Sequence, residues 1–125
     1  MHAVDREAFE ILVQQVVEEL PEHFRERIEN LHFSVEEQAS RDDHRRTSTS
    51  GGGTLLGAYR GVPLPSRTSQ YNLALPDTIV IFQQPLQRIA SDHEHLCELV
   101  KHTVHHEIAH YFGINDRRLG ELGAY

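Results

Sequence analysis

Between Ser91 and Asp116 the chain reads SDHEHLCELVKHTVHHEIAHYFGIND, and Leu96, Leu99, Val100, Thr103, Val104, Ile108 and Phe112 recur at intervals of three and four. That is the period of an α-helix with one buried stripe. A helix of about 22 residues is long for a single domain, so much of the remaining chain must serve to cover it. Its start is marked by Ser91-Asp92-His93-Glu94, which reads as a capping box: the serine accepts from an orphan amide and the glutamate three residues on answers it. Gly113 is the natural stop, since glycine adopts the left-handed terminal conformation at little cost.

Residues four apart on a helix lie on one face, so His106 and His110 converge on a single point with Glu107 beside them. The pattern His106-Glu107-x-x-His110 suits two neutral imidazoles as zinc ligands, with the glutamate placed to take a proton from water activated by the ion. A catalytic zinc usually has three protein ligands and one position for water, so the third ligand is expected beyond the helix. Gly113 turns the chain and Asp116 follows, giving His106-Glu107-x-x-His110-x-x-Gly113-x-x-Asp116. This is the spacing of an extended zinc signature with aspartate in place of the last histidine, and carboxylate oxygen binds zinc at nearly the imidazole distance. In a chain with ten histidines the short motif alone is a modest signal; Gly113 and Asp116 at their offsets make it specific. The competing reading is a histidine-rich amphipathic helix whose polar face is only solvated.

These residues carry a resemblance. The chain is similar to the small bacterial zincin-like metallopeptidases, the minimal zincins, through its opening amphipathic helix, Leu55 to Leu64 with Arg67, Leu75 to Phe82, and above all His106 to Asp116. The resemblance implies an α+β, minimal zincin-like fold in which a small mixed sheet packs on the active-site helix, with N-terminal helices beside it. It also implies His106, His110 and Asp116 as ligands of one zinc ion per chain and Glu107 as general base. The methionine turn that metzincins place beneath the metal is missing, because Met1 is the only methionine. The nine residues after Asp116 predict that the lower half of a full protease cleft is absent.

Composition narrows the setting. At 125 residues, with 38% hydrophobic and 25% charged residues, the chain fits one globular domain spanning 1–125. A net charge of −7 argues against nucleic acid as a partner, since phosphate contact needs a basic face. No apolar run approaches membrane-spanning length. A single cysteine, Cys97, and an N-terminus without a basic leader or an unbroken apolar core predict a cytoplasmic protein.

Along the chain, Phe9, Leu12, Val13, Val16, Val17 and Leu20 predict a helix from Asp5 to Leu20 whose glutamates face water, and Pro21 opens a second short helix to Asn30. Leu31 to Val35 alternates as a half-buried strand, with His32 pointing outward. From Glu36 to Gly53 apolar residues nearly vanish, which predicts a mobile loop in which nothing holds Asp42, Asp43 and His44 in ligand geometry. Thr54 to Tyr59 is expected to be a strand. The unbroken apolar run Ile79 to Phe82 is expected to be a buried, central one, which leaves the earlier strand as the edge. An extended peptide or protein substrate would add to that edge as a further strand. His93, His95 and His105 are expected on the surface, His102 beside the metal site or under the sheet, and Cys97 as a packing residue.

Together these readings predict zinc-dependent peptide-bond hydrolysis, with Tyr59, Tyr111 and Tyr125 as candidates to steady the oxyanion. Two alternatives stand beside it: a zincin-like binding or regulatory module with little proteolytic power, and a structural zinc whose fourth position is closed by a side chain such as His102. Glu107 favours the enzyme, since a structural zinc has no use for a base at that position.

Overall fold

The structure, a computed structural model, describes residues 1–28, 31–46, 55–61 and 77–113. Its elements run α1 (Arg6–Glu18), α2 (Glu22–Arg27), β1 (His32–Glu36), α3 (Arg41–Arg46), β2 (Gly57–Arg60), β3 (Thr78–Phe82), α4 (Gln83–Ile89) and α5 (His93–Tyr111). Asp5 caps α1 by accepting from the Ala8 amide at 2.7 Å. The α1 stripe of Phe9, Leu12, Val13 and Val16 is buried, while Glu7, Glu10, Glu18 and Glu19 are exposed, as the periodicity predicts.

The strands form a three-stranded sheet in the order β1-β3-β2, with β1 parallel and β2 antiparallel to β3. β3 is the central strand, and Ile79, Val80, Ile81 and Phe82 are fully buried. Side chains alternate between the two faces of a sheet. The register therefore sets the rows Phe33–Ile79–Tyr59 and Val35–Ile81–Gly57 on one face and Ser34–Val80–Ala58 on the other. The first face packs against Phe9, Val13 and Val16 of α1 and Leu96, Val100 and Val104 of α5 in one core. On the second, Ala58, Val80 and Phe82 form a smaller cluster with Ala39 and Leu55. The molecule is thus an α+β fold with a small mixed sheet laid on the long helix α5.

Part of the stretch expected to be a mobile loop carries regular structure. Glu36 closes β1 and residues 41–46 form α3, while 47–53 lie outside the described residues. Polar pairing does here what apolar burial does elsewhere. Ser40 donates through its amide (2.9 Å) and hydroxyl (3.0 Å) to Asp43 Oδ2, and the Asp43 amide donates to Ser40 Oγ at 3.2 Å. Arg60 of β2 then forks between strand and helix, donating to Glu36 Oε1 and Oε2 at 3.0 and 2.9 Å and to Asp43 Oδ1 and Oδ2 at 3.0 and 2.9 Å. The Ser-x-x-Asp capping pattern at 40–43 was the available sequence signal, but the arginine that completes the set is remote in the chain.

Asp43 is only 2% exposed. Burial alone would raise its pKa, but the Arg60 guanidinium and the Ser40 donors outweigh it and hold the carboxyl at about 2, against an ordinary 3.8. A folded pKa below the unfolded one gives stability that is complete above the ordinary value and lost as pH falls through the folded value. The urea midpoint should therefore drop between pH 4 and pH 2, by an amount worth about 2 kcal/mol. Asp43→Asn should flatten that limb and carry most of the loss at neutral pH; an unchanged acid slope in the variant would remove the ion pair from this role.

The sequence reading has no counterpart of α4. Phe82 ends β3 and begins α4 directly, and Pro85 falls within the first turn, where its missing amide costs nothing. Its buried Gln83 and Gln87 hold the N-terminal segment: Gln87 Oε1 accepts from the Val4 amide at 2.7 Å, Gln83 Nε2 donates to Val4 O at 3.0 Å, and Gln83 Oε1 accepts from Arg6 Nε at 2.8 Å.

Candidate metal centre

α5 begins one residue later than the capping box predicts. Asp92 is the N-cap and accepts from the His95 amide at 2.8 Å, while the Ser91 amide donates back to His95 Nδ1 at 3.0 Å. His95, three residues after the N-cap, thus takes on a ring nitrogen the amide of the residue before the cap, and the box is not the one expected between Ser91 and Glu94. At the far end Phe112 is the C-cap, and Gly113 takes a φ of 80° while its amide donates to His110 O at 2.9 Å. The helix stops where the glycine predicts, and the motif occupies its last two turns.

Between these ends the inner face of α5 buries Leu96, Val100, Thr103, Val104, Ile108 and Tyr111. Glu107 lies on the same side and is 6% exposed, whereas His106 and His110 are half-buried at the boundary with solvent. The two imidazoles are 4.5 Å apart between ring centres, with planes at 70°. One donor atom from each of His106, Glu107 and His110 lies within 4.8 Å of the others. Among the described residues this is the one such gathering of three histidine, cysteine or acidic side chains. Two accessible imidazoles form a nitrogen donor pair that suits zinc, and the Glu107 carboxylate stands close beside them, so the residues present fit the ion. Asp116 lies outside the described residues.

Glu107 Oε1 is 3.2 Å from His110 Nδ1. With the proton on Nδ1 this is a hydrogen bond to the carboxylate, and it leaves Nε2 as the nitrogen able to take a metal. On its other side the Glu107 stem backs onto β2 at Gly57, where a methyl group would fall 3.3 Å from Glu107 Cγ. β2 is an edge of the described sheet, and Phe82 N–H donates to Leu56 O at 3.0 Å. Backbone direction alternates along an antiparallel strand, so the amide and carbonyl of Gly57 face away from β3.

The other residues singled out in the sequence separate from this group. His102 is exposed and stacks near His106, with ring centres 6.4 Å apart, and does not lie under the sheet. His105 and His95 are half-buried rather than on the surface. Burial, with Lys101 and His102 close by, lowers the His105 pKa below the ordinary imidazole value. Cys97 packs at the edge of the core, and burial pushes its thiol pKa up, which suits a packing residue rather than a nucleophile. Of the tyrosines, Tyr59 donates its hydroxyl to Asp77 Oδ2 at 2.7 Å, and Tyr111 is a core residue edge-on to Tyr59. Tyr125 lies outside the described residues. Gly57 and Thr103, the neighbours of Glu107, were not legible as site residues, because their part depends on two segments far apart in sequence.

A histidine-glutamate-histidine group on the last turns of a helix, with a small mixed sheet laid along that helix, defines a zincin-like domain. The zincin-like metallopeptidase family model matches residues 28–124, a segment that contains the whole motif from His106 to Asp116, and the chain belongs to that family. No curated protein matches it. Family membership implies zinc binding, and the gathered side chains of α5 are a place where such an ion can be held. No described helix is long and apolar enough to cross a membrane.

Proposed function

We propose that this protein is a zinc-dependent peptidase in which His106, His110 and Asp116 hold the ion and Glu107 is the general base. The observation that carries the reading is Glu107 itself, a buried carboxylate set between the two imidazoles and an edge strand of the described sheet. When bound, zinc supplies Lewis acidity, polarising a peptide carbonyl and making water nucleophilic near neutral pH. The chain supplies the rest. Glu107 takes a proton on its carboxylate from the attacking water and passes it to the leaving amine nitrogen. His110, turned by its Nδ1 contact with Glu107, presents Nε2. The outward backbone of β2 at Gly57 offers an amide and a carbonyl to an extended peptide, which would run beside Glu107 as an added strand. The substrate is accordingly an extended peptide or an unfolded protein segment. The acidic surface makes a nucleic acid partner unfavourable.

Metal content and casein hydrolysis, measured on the same samples of the wild type and Asp116→Ala, test this reading. We expect one zinc per chain in the wild type, chelator-sensitive cleavage, and zinc affinity weakened by at least about tenfold in the variant. Bound zinc without cleavage of any peptide would leave a metal-binding module. Failure to bind zinc when it is supplied would reject the site altogether.

A further inference from the structure

The row Val35–Ile81–Gly57 crosses the face of the sheet that packs on the helices, and it ends at the β2 edge in a residue with no side chain. α5 fills the space left there. A methyl group built on Gly57 would lie 2.8 Å from Thr103 Cγ2, 3.1 Å from the Val80 carbonyl oxygen and 3.3 Å from Glu107 Cγ. The first distance is shorter than carbon atoms tolerate, and the others leave no slack. Thr103 has little freedom to retreat, since its hydroxyl donates to Leu99 O at 2.7 Å and its side chain is buried. Glu107 is the neighbour that would give way, along its own stem.

We infer that Gly57 is a positioning residue for Glu107: its bare α-carbon lets α5 close on the edge strand and fixes the path of the Glu107 stem, and hence where the carboxylate meets both His110 and a peptide on β2. The inference rests on the peptidase reading for its effect on rate, but its structural part does not. The three atoms nearest to a methyl group on Gly57 belong to Thr103, Val80 and Glu107 and not to His106 or His110, so zinc binding and peptide affinity should survive its substitution while the chemical step suffers. A misplacement of about 1 Å costs about 100-fold in rate, so a displacement of part of an ångström is expected to cost about tenfold.

The test compares the wild type with Gly57→Ala, Thr103→Ser and the double variant, each as the full chain. Thr103→Ser removes only the methyl group in closest contact and keeps the hydroxyl. Zinc stoichiometry, kcat and KM on casein-derived peptides, and the imidazole ¹⁵N signals of His110 in the zinc-free protein are measured. Gly57→Ala should keep its zinc and hold KM within about twofold, lose at least about tenfold in kcat, and shift the His110 signals as the Glu107 contact changes. The double variant should regain at least about threefold in kcat and move the His110 signals back. A Gly57→Ala protein with wild-type kcat and unmoved His110 signals overturns the inference, as does a loss of rate with unmoved signals that Thr103→Ser does not relieve. If Gly57→Ala alone does not fold, the double variant decides by the same two readouts against the wild type. A wild type that cleaves no peptide sinks the peptidase reading alone, and the His110 signals then decide the positioning role without any turnover.

Discussion

Glu107→Gln should reduce peptide hydrolysis by about 10² to 10⁴-fold, the range typical of a lost general base, while the protein keeps its zinc. Glutamine has the shape of glutamate and still offers an oxygen to His110 Nδ1, the contact that stands at 3.2 Å in the structure. It cannot accept the proton of the attacking water. Because Glu107 is only 6% exposed, a neutral replacement brings no uncompensated charge into the core, and thermal stability should hold or rise slightly. Glu107→Ala is a poorer test, since it would empty the space beside Gly57 and remove the His110 partner together. Zinc content, kcat and KM measured on one preparation check the expectation. A Glu107→Gln protein that hydrolyses peptides at the wild-type rate would take away the role of base.

His110→Ala should abolish stoichiometric zinc binding, with an affinity loss exceeding the 10- to 100-fold typical of a missing outer-shell partner. The fold should persist. His110 is half-buried in the last turn of α5, and alanine is the best helix former. The difference appears most clearly as ligand-linked stability. With free zinc about 100-fold above its Kd, the wild type should gain about 2.7 kcal/mol against unfolding, and His110→Ala essentially none. Parallel thermal melts with zinc and with chelator read this directly. Equal zinc-dependent shifts in the two proteins would mean that the ion sits elsewhere.

Much of the architecture was legible because it rests on periodicity. The stripes of α1 and α5, the central apolar strand and the Gly113 stop all follow from residue spacing, and the gathering of His106, Glu107 and His110 follows from helix geometry alone. The departures share a cause, which is that polar groups satisfied one another across distance. Arg60 secures α3 through Asp43 in a stretch with almost no apolar residues, and Gln83 and Gln87 fasten the N-terminal segment to a helix that no stripe announced. At the start of α5 the Ser91 amide goes to His95 and not to the expected Glu94, because a neutral imidazole nitrogen is also an acceptor. Gly57 was visible as a glycine in a strand, which can mark a close backbone approach, but what approaches it is known only once β2 is laid against α5.

The position of β3 in the middle of the sheet has a consequence for how the molecule comes into being. Both β1 and β2 pair with β3 and not with each other. Although they precede it in the chain, neither can join the sheet until residues 78–82 exist. β1 must then close a loop of about 40 residues, an entropic cost met only when the strand can pair. During synthesis the first half of the chain therefore waits with its strands unpaired and open to other chains. The sheet assembles as α5 follows it out, and a nascent chain cannot set Glu107 against Gly57 before that whole surface is complete.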